Sequence, residues 1–183
     1  MPPVSPLSLL SASRLSAEPA SPGPQAQEIC SRITCAFNLR IVLKQKDGST
    51  FDKSFPALPQ VQPAGVSVYP GQSILFEADM EGDRLANFRL VTSAEHPEKT
   101  ISATLQQLDD GAMVLKLKNP FRRHLPVKMA MMPLGLEKLL NTSSCPVLSD
   151  GRVSFEMWPH PIFQIWLGEF RLLDDSSDMA CSE

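Results

Sequence analysis

The chain has 183 residues and a formal net charge of −3, with 43% apolar and 20% charged residues. That length suits one domain with or without a tail, and a folded part of roughly 140 residues buries about two-thirds of its unfolded surface, enough for a core of its own. The acidic balance argues against nucleic acid as a partner, since phosphate binding needs a basic face, and no apolar run reaches the ~18 residues of a membrane span.

Six prolines and six serines crowd the first 24 residues. Segment 1–28 therefore reads as a disordered Pro/Ser-rich leader, with too little apolar surface to offset its ordering entropy. Its signal-peptide features are partial. Leu7, Leu9 and Leu10 make a short apolar stub without a basic stretch before it, and Ala17, Ala20 and Ala26 offer small residues near which a signal peptidase cuts. A remnant or mis-started signal segment, a transit-like sequence and a plain linker all fit.

Four cysteines follow: Cys30, Cys35, Cys145 and Cys181. An even count bracketing the domain reads as disulfide stapling in an exported protein. Three pairings are open, of which Cys30–Cys35 with Cys145–Cys181 is the most local. Zinc fails on spacing, because no C-x₂-C pair and no nearby histidine is present, so no metal and no cofactor is expected.

From Cys35 onward the apolar residues recur with period two. Phe37, Leu39, Ile41 and Leu43 alternate with polar positions, and Asp47-Gly48 is a hairpin turn signal leading to a strand over Thr50 to Phe55. Three prolines from Pro56 to Pro63 make that stretch irregular or an edge. Strands follow at Gly65 to Tyr69, at Ile74, Phe76 and Ala78, at Leu85 to Val91 with Phe88 and Leu90 inward, and at Thr100 to Leu108. Asp110-Gly111 turns into Met113, Leu115 and Leu117. Asn119-Pro120 ends that strand, and Val127, Met129 and Met131 alternate in the next. Pro133 to Leu140 reads as one short helical turn. The chain closes with a strand at Arg152 to Trp158 and a long one from Ile162 to Leu173. There the apolar parity slips after Leu167, and a β-bulge at Gly168 would restore the register.

About ten short strands with a turn signal every 8–12 residues predict an all-β, antiparallel, immunoglobulin-like β-sandwich over 29–175. A flexible C-terminal tail is expected over 176–183.

The most distinctive place for chemistry is the corner Trp158-Pro159-His160-Pro161, with Trp166 near in sequence. Two aromatic planes and an imidazole suit a sugar ring or another flat ligand. Asp79, Glu81 and Asp83 flank Gly82 as oxygen ligands would for calcium, but the EF-hand spacing is missing, and a solvated hairpin tip is the simpler reading. Arg122, Arg123, His124 and Lys128 form a local basic cluster, read as a solvated turn. Met113, Met129, Met131 and Met132 read as core filling. None of His96, His124 and His160 stands in a hydrolase or metalloprotease motif, and no phosphate loop is present. The expectation is a non-catalytic, exported (periplasmic or secreted) module whose partner is another protein. The alternative is a carbohydrate- or small-ligand-binding module using Trp158, His160 and Trp166, or an enzyme accessory domain.

Overall fold

A computed structural model describes residues 21–174 and 179–181. Among these the chain forms one short helix, α1 (Pro24–Cys30), and the strands β1 (Thr34–Lys44), β2 (Thr50–Gln62), β3 (Gly65–Val68), β4 (Ser73–Glu81), β5 (Arg84–Val91), β6 (Ile101–Gln107), β7 (Met113–Lys118), β8 (Lys128–Pro133), β9 (Leu140–Thr142), β10 (Val153–Trp158) and β11 (Ile162–Gly168). They make two antiparallel sheets. The first has the order β1-β2-β3-β11-β8-β9 and the second β10-β7-β6-β4-β5.

Period-two alternation puts one row of each strand on a shared core. Ile74 and Phe76 of β4, Ile101, Ala103 and Leu105 of β6, and Met113, Leu115 and Leu117 of β7 supply the second sheet's inner face. Ile41 and Leu43, Val66 and Val68, Met129, Ile165 and Leu167 supply the first's, and all belong to one buried cluster. Phe170 joins it beyond β11, its ring centroid 5.8 Å from Phe76 and 5.3 Å from Phe88. Backbone bonds stitch the sheets at the same place: Leu85 N–H donates to Phe170 O and Leu172 N–H to Asp83 O. Elsewhere the Gln107 side chain clips β1, accepting from Lys44 N–H and donating to Lys44 O.

Buried polar groups are held in pairs. Asn119, fully buried, donates through Nδ2 to the carbonyls of Arg123, Val147 and Leu148 and accepts from Phe121 N–H. The Asn-Pro strand end thus organises the loops on either side of it. Gln164, also buried, donates to the Ser67 hydroxyl at 2.8 Å.

Several sequence expectations need correction. Pro133 to Leu140 is not helical. β8 runs to Pro133, Gly135 turns the chain at φ 90°, and Leu136 and Leu139 stay exposed before β9 begins. A segment that short has no length over which helical bonds repay nucleation. The leader expected to lack structure lies outside the described residues up to 20, and its last part forms α1, with Pro24 at the helix start where a missing N–H costs nothing. Of the tail, 176–178 and 182–183 lie outside the described residues, while Cys181 is tied to Cys145. β2 continues through Pro56 and Pro59, because β3 pairs with it only at Val61 and Gln62 and the side away from β1 is otherwise unpaired. Phe37 leaves the core row: Asn38 at φ 53° turns the chain, and the ring is 58% exposed.

The bulge expected at Gly168 is absent. Pairing runs without interruption through Leu167–Met129 and Gly168–Lys128 on one side and Gly168–Gly65 on the other. The register shift falls instead between Ile162 and Gln164, and the later parity change falls at Glu169, at φ 49°. Gln164 does not seek water as a bulge argument requires, since Ser67 satisfies it and β11 is a central strand covered on both faces. Gly168 is nevertheless demanding for another reason: a Cβ there would lie 2.2 Å from the Trp166 ring and 2.7 Å from Ala64 O. Gly168→Ala is therefore expected to displace the indole and destabilise the fold by about 1–2 kcal/mol. Denaturant unfolding checks this, and a variant as stable as the parent would show that the indole has room to move.

Candidate functional site

The structure separates the residues of the aromatic corner. Trp158 ends β10 as part of the buried core, 7% exposed, with its Nε1–H donating to Thr142 Oγ1 at 3.1 Å. Trp166 lies in the middle of β11 with parity opposite to Ile165 and Leu167, so it faces away from that core, over Gly168. His160 is half-buried at the corner between them. Trp158 thus lies in the core on β10 of the second sheet, while Trp166 lies on the outer side of β11 in the first, and the two do not share a face.

The charged candidates are engaged within the fold. Asp79 bonds Arg89 Nη1 at 2.9 Å, while Glu81 and Asp83 stand at the exposed β4–β5 tip. Of the basic cluster, Lys128 pairs with Glu169, Arg123 donates to Leu172 O, and His124 Nδ1 accepts from Ser149 N–H. The sequence did not single out Glu77, which is buried among Arg89 at 3.0 Å, Lys99 at 3.5 Å and the Thr100 hydroxyl at 3.1 Å. Burial pushes its carboxyl up, but the Thr100 hydroxyl, Lys99 and Arg89 outweigh that and hold it below the usual carboxylate range.

The concavities include one of about 500 Å³ beside Val42, Lys44, Gly71 and Gln107 and one of about 380 Å³ over Gln25, Ile29 and Arg32. A cleft of about 270 Å³ lies between Lys128, Asn141, Thr142, Glu169 and Arg171, and another of about 230 Å³ between Arg84, Phe88 and Arg171. These two fall below the roughly 300–1,000 Å³ of ordinary small-molecule sites, while the wider hollows reach that range by volume.

The feature that stands out is an edge. Among the described residues β10 is the outermost strand of the second sheet and pairs only with β7. Its inward row is Ser154, Glu156 and Trp158, opposite Leu117, Leu115 and Met113. Its outward row is Val153, Phe155 and Met157, which are 44%, 59% and 61% exposed. On β7 that row is bordered by Lys116 and Lys118, with the Lys116 ammonium 5.9 Å from the Phe155 ring centroid.

The backbone of this edge follows from one bond. Asn119 N–H donates to Arg152 O, so Arg152 directs its peptide groups at β7. Along an antiparallel strand that direction alternates residue by residue. Ser154 and Glu156 therefore bond β7, and the N–H and C=O groups of Val153, Phe155 and Met157 point to the open side. An exposed apolar edge with unpaired groups is a template for a further strand, and proteins normally blunt it with charge, proline, brevity or a bulge. The other edges are blunted. β9 has three residues, β5 is closed at its start by Phe170 to Leu172, and β1 carries Arg40, Lys44 and the turn at Asn38. β10 has no proline, no lysine and no register shift, and its single charge, Glu156, lies on the inward row.

Glu156 is the one charge on β10. Burial raises its carboxyl pKa, and the Cys145 N–H only partly offsets this. A raised folded pKa means that the folded state prefers the protonated form, so this group costs stability as pH rises from the unfolded carboxyl's ~4.3 through the folded value. Glu156→Gln is accordingly expected to melt about 1–2 °C above the parent at pH 7, with the difference vanishing near pH 3.5. A variant that melts lower at both pH values would show that the carboxylate form is the one the fold holds.

All four cysteines are paired at disulfide distance, Cys30 with Cys35 and Cys145 with Cys181, the most local of the three possible connectivities. Such pairs suit an oxidising compartment. No helix among the described residues is long and apolar enough to cross a membrane. No protein-family model, no curated protein and no solved structure matches this chain.

Proposed function

We propose that this chain is a non-catalytic, exported β-sandwich that acts as a protein-interaction module, and that it binds by adding an extended strand to β10. We read the sandwich as immunoglobulin-like in architecture, on the ground of two antiparallel sheets over one core. The observation that carries the reading is the β10 edge, whose outward row bears no charge and where outward peptide groups and the apolar residues Val153, Phe155 and Met157 coincide. Strand addition uses those two elements together: main-chain bonds give affinity, and alternate side chains give selectivity. The two disulfides support the exported assignment.

Selection from a displayed library of extended peptides tests the reading. Bound sequences should alternate apolar residues, and Phe155→Lys or Met157→Lys should abolish their binding while Val42→Lys on the β1 edge leaves it intact. Peptides whose binding ignores β10 would refute it.

A further inference from the structure

The occupant of this edge can be specified from the strand itself. Resting on the reading of β10 as a strand-addition site, we propose that β10 pairs antiparallel with β10 of a second copy of this chain, Phe155 opposite Phe155, joining the two five-stranded sheets into one.

The backbone restricts the register. Only Val153, Phe155 and Met157 present free peptide groups, so residues of that parity must face one another across the junction. With Phe155 opposite its own copy, Val153 faces Met157 and Met157 faces Val153. Each of these opposed pairs exchanges two N–H···O bonds. All outward peptide groups of both strands are then satisfied. A shift by two residues toward the strand's start places Val153 opposite Phe155 and leaves Met157 without a partner. A shift the other way leaves Val153 unpaired and sets Glu156 against Glu156, with like charges directly opposed.

The side chains agree with the backbone. On the outward face the favoured register stacks Val153 on Met157, Phe155 on Phe155 and Met157 on Val153. Apolar residues thus meet only apolar residues, and Lys116 and Lys118 of each copy border the ladder from outside. On the inward face Glu156 meets Ser154 of the second copy. No carboxylate therefore faces its own copy across the junction, as it would in the register that opposes Glu156 to Glu156. The same surface serves both copies, as two-fold association requires.

A junction of one six-residue strand is smaller than the ~800 Å² per partner of a standard interface. The dimer should therefore be weak and concentration-dependent, with a dissociation constant of roughly 10–100 μM.

Cysteine cross-linking of the full oxidised chain reads the register directly. Hydrogen-bonded opposed residues have Cα atoms about 5.5 Å apart, within reach of a disulfide. Position 153 or 157, by contrast, lies about 13 Å along the strand from its own copy. Phe155→Cys is expected to form a covalent dimer roughly tenfold faster than Val153→Cys or Met157→Cys alone, and the double variant Val153→Cys/Met157→Cys should match it. Sedimentation from about 1 to about 300 μM should show a monomer–dimer equilibrium that Phe155→Lys and Met157→Lys each abolish and Val42→Lys leaves unchanged. Equal cross-linking at the three positions, or a dimer that survives both lysine variants, overturns the proposal. A chain that stays monomeric overturns it too, and the displayed peptides then separate two cases. If they still bind at β10, only self-pairing fails; if none binds, the strand-addition reading fails with it.

Discussion

Removing the Cys145–Cys181 bridge is expected to cost about 4 kcal/mol of folding stability and to lower the melting temperature by roughly 8–15 °C. The two cysteines are 36 positions apart, and the loop they close contains β10 and β11 entire. An unfolded chain freed of that closure gains conformational entropy that the folded chain does not. The bridge also fixes the chain beyond β11 to the segment after β9, beside the Cys145 N–H that bonds Glu156. The double variant Cys145→Ser/Cys181→Ser, melted beside the parent, gives the comparison. The Cys30–Cys35 bridge spans only 5 positions, and its loss should cost about half as much. A fall of under about 3 °C for the longer bridge would mean that the unfolded chain is compact without it.

Gly65→Ala should be the most damaging single core substitution, at about 3 kcal/mol or more. Gly65 sits opposite Gly168 where β3 and β11 pair, and a Cβ at Gly65 would fall 2.1 Å from the Leu167 carbonyl oxygen and 2.9 Å from Gly168 Cα. Both obstacles are backbone of a central strand, so no side chain can swing aside. Relief requires β3 and β11 to part, which loosens the Val66–Leu167 and Val68–Ile165 pairs behind them. Equilibrium urea unfolding measures the loss. Gly168→Ala, which meets a movable indole as well as backbone, should lose less, and the opposite ranking would mean that β3 yields more readily than Trp166.

The strands were legible because period-two alternation survives in them: Ile74, Phe76 and Ala78, or Met113, Leu115 and Leu117, report their buried face residue by residue. The errors came where a single backbone conformation changes parity. Asn38, Asn87 and Glu169 take positive φ without being glycine, and nothing in the pattern marks Glu169 rather than Gly168 as the point of change. Gln164 looked solvent-seeking because its partner Ser67 is 97 positions away. The aromatic corner was visible as a motif, but the two indoles lie on strands of different sheets, β10 and β11, and the sequence does not show that division. The β10 edge was invisible for a different reason. Val153 to Trp158 reads as an ordinary strand, and only the sheet order shows that no neighbour among the described residues pairs with one side of it.

Amide hydrogen exchange along β10 tests most directly whether that side is open. At low micromolar concentration the Ser154 and Glu156 amides, bonded to β7, should be protected, while those of Val153, Phe155 and Met157 exchange at nearly unprotected rates. Raising the concentration should slow the second set alone. Uniform protection of all five amides in the dilute chain would show the edge already covered and would contradict the account.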